Sequence, residues 1–146
     1  LLMPYADVYN YALLDGRRII PTDRSIQNTA GSSIVQVRFG DEACAGEVRA
    51  VLVHKQPNVP ESGSTVLLMV EWMIESADTP LDNNEFIWSK FPELGVNTWE
   101  YQRYEDPRGN GAHPTVIALS DVHCQKSRGT LDHTNPHLWM TTTMDR

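Results

Sequence analysis

Two long apolar runs, residues 43–54 and 64–74, are separated by nine residues that hold two prolines and a glycine. Val, Leu, Met and Trp at this density predict β-strands, because β-branched and aromatic side chains pack well on a pleated surface while Pro and Gly end the pairing. In the second run Val66, Leu68, Val70 and Trp72 share one face, and Leu67, Met69 and Met73 share the other with Glu71. A strand apolar on most of both faces belongs in the middle of a sheet. Residues 33–39 alternate, with Val35, Val37 and Phe39 on one side and Gln36 and Arg38 on the other, and Gly40-Asp41 fits a tight hairpin turn. Gly46, inside the first long run, marks a bulge or a close approach by another backbone. Three successive strands with short links predict an antiparallel meander curved into a small barrel or a bent sheet.

The flanking segments are shorter. Tyr5, Val8, Tyr9, Ala12 and Leu13 fall at helical spacing and Gly16 follows as a stop, so residues 4–14 are expected to form a short N-terminal helix. Residues 17–20 read as a short strand, 22–32 and 76–84 as loops, and 85–91 as a turn of helix before Pro92. Residues 97–104 alternate aromatics as a strand would, and 106–114 (Asp-Pro-Arg-Gly-Asn-Gly-Ala-His-Pro) have the composition of an exposed loop. A bent strand over 115–125 and a last strand over 137–143 complete a mainly β fold with long irregular loops. The 146 residues are enough for a core without staples, so one domain is expected over 1–146, made of a helical segment (1–16) and a β core (33–144).

The net charge of −7 is unevenly spread. Residues 61–106 hold ten acids against Lys90 and Arg103, whereas the segments on either side are close to balance. These acids are interleaved with Trp72, Phe86, Trp88, Phe91, Trp99, Tyr101 and Tyr104. Acid and aromatic faces together attract cations, by charge and by cation–π contact. A surface that tracks phosphates would need Lys and Arg in excess, so direct nucleic-acid binding is not expected. No apolar run is long enough for a membrane span, and residues 1–4 lack the basic and apolar regions of a secretory leader. Position 1 is Leu, as in a piece of a longer chain. Two cysteines, Cys44 and Cys124, are too few for a disulfide framework and read as reduced thiols in an intracellular protein.

Motifs of catalysis are missing. There is no G-x-S-x-G elbow, no phosphate-cradling Gly loop and no H-E-x-x-H. His133 and His137 are four apart, but Asn135-Pro136 lies between them and breaks the helix that would align them, so no metal site is expected. His123 and Cys124 are adjacent and would point to opposite faces of a strand. Carboxylate pairs such as Asp78/Asp82 or Glu71/Glu100 would suit a glycosidase only at a separation the sequence does not give.

The order of strands, with Val70-Glu71-Trp72 closing the long apolar strand and Ile117, Leu119, Val122 and Cys124 in a later segment, resembles a bromo-adjacent-homology domain over residues 33–125. That resemblance implies a reader of nucleosomes or histone tails in the nucleus, some members using an aromatic cage for methyl-lysine, and it gives Trp72 a place in such a cage. Phrases such as residues 14–19 (Leu-Asp-Gly-Arg-Arg-Ile) and 139–146 (Trp-Met-Thr-Thr-Thr-Met-Asp-Arg) also resemble uncharacterised fungal proteins linked to transposons. The expected function is therefore a non-enzymatic module that binds a basic peptide or protein, a histone tail among the candidates, through Glu71, Trp72, Trp88, Trp99 and Tyr101, with no cofactor. The alternatives are an assembly domain of a mobile-element protein and a small hydrolase.

Overall fold

The computed structural model describes residues 5–22, 33–55, 65–76, 95–131 and 137–143. The expected loop over 22–32 (beyond Thr22), most of the loop over 76–84, the helical turn over 85–91 and Trp88 fall outside these residues. The chain is mainly β. Ten strands are described: β1 (Tyr5–Tyr9), β2 (Ala12–Leu14), β3 (Arg17–Ile19), β4 (Ile34–Phe39), β5 (Glu42–Lys55), β6 (Thr65–Glu75), β7 (Asn97–Tyr104), β8 (Val116–Ala118), β9 (Val122–Leu131) and β10 (Leu138–Thr143). Eight of them form one antiparallel sheet, while β2 and β3 pair only with each other. Within the large sheet β5 pairs with β4, β4 with β9, β9 with β10, β10 with β7, β7 with β6 and β6 with β5 again. The circuit of pairings closes on itself. Among the described residues the strands left at the margin are β1, beside the end of β5, and β8, beside the start of β6.

The expected N-terminal helix does not form. Residues 5–9 and 12–14 are strands, and Asp15-Gly16 is the two-residue turn that joins β2 to β3. Asp15 and Gly16 both have positive φ (51° and 80°), as a type I′ hairpin turn requires. The apolar spacing that suits a helix suits two short strands as well, and Asp-Gly decides between them. The β4–β5 hairpin turns at Gly40-Asp41 as expected, with Gly40 at φ 65°.

Residues directly opposite each other on paired strands share a face, so the registers sort the side chains. Val35, Gly46 and Trp72 lie in one row, with Val37 opposite Cys44 and Val48 opposite Val70. This face, with Val51, Leu68, Ile117 and Val122, makes the larger core, and Ala12 and Ile19 of the β2–β3 hairpin cover it. The opposite face carries Ile34, Ala45, Met73, Trp99 and Trp139, which form a second core with Tyr101 and Tyr104 against it. A bulge at Arg49 keeps β5 in order: because one extra residue lies between Val48 and Ala50, Val48 and Val51 both turn into the larger core.

Gly46 allows the sheet to close over its own tryptophan. A Cβ at this position would collide with the Val70 side chain and come within 2.8 Å of Trp72 Cε3. Gly46→Ala should therefore lower stability by about 1–3 kcal/mol, the usual cost of an overpacked core. Urea denaturation of the two proteins, with unchanged slopes, measures it.

Candidate functional site

Two clusters of polar side chains sit on opposite faces of β5. The first surrounds Glu47, which is only 3% exposed although its strand neighbours are apolar. Its carboxylate accepts hydrogen bonds from Thr22 Oγ1 (2.6 Å), Tyr104 Oη (2.5 Å) and Arg128 Nη1 (2.7 Å), and Arg49 Nη1 lies 3.2 Å away. Burial alone would push this carboxyl up. The bonds from Thr22, Tyr104 and Arg128 outweigh it and hold Glu47 below its ordinary value of 4.5. Tyr104 moves the other way, raised by burial and by donating to Glu47.

Arg49 belongs to this face because the bulge brings it there. Its Nε donates to Glu71 Oε1 at 2.6 Å, so one guanidinium bridges Glu47 and Glu71, which are direct cross-strand partners and would otherwise repel. Arg128 lies with its Cζ 4.0 Å from the centre of the Trp139 ring, while Tyr101 and Tyr104 flank the same indole at 5.7 and 5.6 Å. Cation–π contact and a carboxylate together hold the Arg128 guanidinium. His137 stacks edge-on to Tyr101 at 5.7 Å.

The residues expected to form a ligand site are divided between the faces. Trp72 is buried in the larger core (2% exposed), packs edge-on to Phe39 at 5.3 Å, and its indole N–H donates to the Pro114 carbonyl. Trp99 is buried in the second core, where its N–H donates to Thr141 Oγ1 at 2.9 Å. Tyr101 is half-buried on that second side, and Glu71 is exposed there, paired with Arg49. The structure thus brings Trp99 and Tyr101 to one cluster, leaves Glu71 near it through Arg49, and sets Trp72 on the other face. A bulge in β7 aims Tyr101: Met73 pairs with Tyr104 and Glu75 with Trp99, so the residues between them are displaced, and Gln102 takes φ 55°. Glu47, Arg49, Tyr104, Arg128 and Trp139 are site residues that sequence reasoning missed. A glutamate in the middle of an apolar strand was the available signal.

The second cluster lies on the larger-core side. Cys44 Sγ is 3.5 Å from His113 Nε2, and His113 Nδ1 is 2.8 Å from Glu105 Oε2. Glu42 Oε1 lies 3.5 Å from the sulfur and 3.7 Å from Nε2. Sulfur, imidazole and carboxylate in this sequence have the connectivity of a nucleophile, a base and an orienting group. The thiol is unsuited to that role: burial, then Glu42, Glu105 and Glu75, push it up to about 12. Cys124, the other cysteine, is half-buried with its Sγ 3.9 Å from Gln36 Oε1, and His123 before it is an exposed extra residue in β9.

No protein-family model matches the chain, and neither a curated protein nor a solved structure matches it. No helix among the described residues is long and apolar enough to cross a membrane.

Removing Glu47, itself buried, leaves the partly buried Arg128 guanidinium without its carboxylate. Glu47→Ala should cost about 3–5 kcal/mol, the range for breaking a buried ion pair from one side. Because the folded pKa lies below the unfolded one, the stability from Glu47 is fully present above about 4.5 and is lost as pH falls through the folded value. Thermal melts from pH 7 down to pH 2 should show a fall in the wild type that is smaller in Glu47→Ala.

Proposed function

We propose that the chain is a non-enzymatic interaction module, a small closed barrel that binds a basic peptide or protein, with a histone tail in the nucleus as one candidate. The observation that carries this reading is the hold on Arg128: the Trp139 ring, itself flanked by Tyr101 and Tyr104, and the Glu47 carboxylate keep a guanidinium by the contacts a cationic ligand would use. In the folded chain the innermost position belongs to Arg128 itself. A ligand would therefore engage the outer parts, the half-buried Tyr101 with the exposed His137, and the exposed carboxylates of Glu71 and Glu75 on the same face of β6. Trp72 and Trp99 would support that surface from within, because both are buried. The excess of acids over residues 61–106 would add long-range attraction and faster association.

Titration against modified and unmodified histone-tail peptides at low and physiological salt tests the reading. Binding should weaken with salt, and Tyr101→Ala should weaken it roughly twofold to fivefold, the worth of one exposed cation–π contact, with an unchanged melting temperature. Glu71→Lys should weaken it further at low salt than at high. Absence of saturable binding, or binding indifferent to both substitutions, rules the reading out.

Self-assembly, as in a mobile-element protein, is favoured by a different observation. Val8, Leu52, Leu67 and Ala118 form one row across β1, β5, β6 and β8, and Met69 and Val116 stand beside it, with Val8, Met69 and Val116 exposed. An apolar sheet face flanked by the marginal strand β1 is suited to a second copy of the same surface. Sedimentation equilibrium should then give a mass above the monomer for the wild type and the monomer mass for Val8→Lys; a monomeric wild type at high concentration removes this reading.

A further inference from the structure

The turn at Gly40-Asp41 starts β5 with Glu42 and Cys44, two residues apart and so on the same side of the strand. Opposite them stands the loop after β7, which is pinned at both ends. Glu105 N–H donates to the Trp72 carbonyl, Val70 N–H to the Thr115 carbonyl, and the Trp72 indole to the Pro114 carbonyl. The loop is therefore held against the larger core, and His113 enters beside Cys44. Its ring stacks on Phe39 at 4.7 Å. Glu105 grips it twice, accepting from the backbone N–H at 2.5 Å and from Nδ1 at 2.8 Å. With the proton on Nδ1, the lone pair of Nε2 points to the sulfur of Cys44 and the carboxylate of Glu42.

The three donor atoms form a nearly even triangle with sides of 3.5, 3.5 and 3.7 Å. A tetrahedral zinc ion with a sulfur at about 2.3 Å, an imidazole nitrogen at about 2.0–2.1 Å and a carboxylate oxygen at about 2.0–2.2 Å sets its donors roughly 3.4–3.6 Å apart. The triangle thus matches one face of such a tetrahedron. A carboxylate on the far nitrogen of the histidine is the usual outer partner of a metal-bound imidazole, since it fixes the tautomer and raises the basicity of the ligand. Magnesium and calcium prefer oxygen donors throughout, whereas a mixed sulfur, nitrogen and oxygen set suits zinc or cobalt.

We propose that Glu42, Cys44 and His113 form a binding site for one zinc-class divalent ion, with Glu105 as the outer partner that positions His113. The fourth coordination position faces the solvent side, where Glu42 is exposed (side chain 60% exposed), and is open to water or to a donor atom of a ligand. On binding, the S–H bond of Cys44 breaks, its proton passes to buffer, and a sulfur–metal bond forms without any change of oxidation state. The site is independent of the peptide surface proposed above, because it lies on the other face of β5.

Cobalt(II) serves as the probe. The purified full chain, reduced and stripped with a chelator, should take up one equivalent and develop a thiolate-to-cobalt charge-transfer band with the intense visible bands of a tetrahedral site. Zinc should then bleach them. Cys124→Ser should keep the band and Cys44→Ser should lose it. Glu105→Gln should keep it with affinity about 10–100-fold weaker, as expected for a positioning residue. Should Cys44→Ser fail to fold by circular dichroism, Glu42→Gln and His113→Gln give the same information from less buried positions, each weakening uptake. The proposal is overturned if the folded wild type gives no charge-transfer band, if the band survives in folded Cys44→Ser, or if both Glu42→Gln and His113→Gln bind cobalt as the wild type does.

Discussion

Trp72 ties the structure together. Its ring fills the larger core opposite Gly46, where only the absence of a Cβ leaves room for it. Its indole N–H and its carbonyl each hold one end of the loop that follows β7. A large aromatic with one polar atom is well placed for such a task, because burial of its faces and satisfaction of its N–H are both achieved in the same position. Through Trp72 the hydrophobic core and the placement of His113 become a single constraint. A change that loosens the packing at Gly46 would also move the loop that carries Glu105 and His113.

The other face of the same strands is governed by charge. Glu47 is out of water, yet it keeps its charge because hydroxyl and guanidinium donors replace the lost hydration. Buried pairs of this kind contribute little net stability compared with well-packed apolar residues, but breaking one from a single side is expensive. Their effect is to fix one arrangement. Arg49 and Arg128 both bind the Glu47 carboxylate and reach on to Glu71 and Trp139, and the bulge at Arg49 serves both faces: it turns Val51 into one core and a guanidinium toward the other.

Much of the sheet was legible in advance. The β4–β5–β6 meander, the turn at Gly40-Asp41 and the strands over 97–104 and 137–143 follow from alternation and turn chemistry, which are local; Gly46 reads as a bulge or a backbone approach, whereas the side chains of Val70 and Trp72 are what approach it. The N-terminal helix was misread because Tyr5, Val8, Tyr9, Ala12 and Leu13 satisfy a period of 3.6, while two short strands with a two-residue Asp-Gly turn satisfy the same residues. The candidate site was only partly legible. Tyr101 and Glu71 are at or near the second-face cluster, but Trp72 proved to be core, since an aromatic in an apolar strand pays most of its hydrophobic energy inward. His113 gave no warning in the sequence, where it sits in a Gly- and Pro-rich stretch that reads as solvent loop.

By itself the sequence determined the kind of backbone: β-branched and aromatic runs and Gly-containing turns dictate strands and hairpins, because each of these depends on residues within a few positions of one another. Only the tertiary structure decided which side chains meet. Cys44 and His113 are 69 residues apart, and Glu47 and Arg128 are 81 apart. Their contacts depend on strand register, on two bulges that change the facing of every later residue, and on a loop held by a tryptophan from a different strand. No local pattern encodes such distances, since a shift of one residue in pairing would send each of these groups to the opposite face.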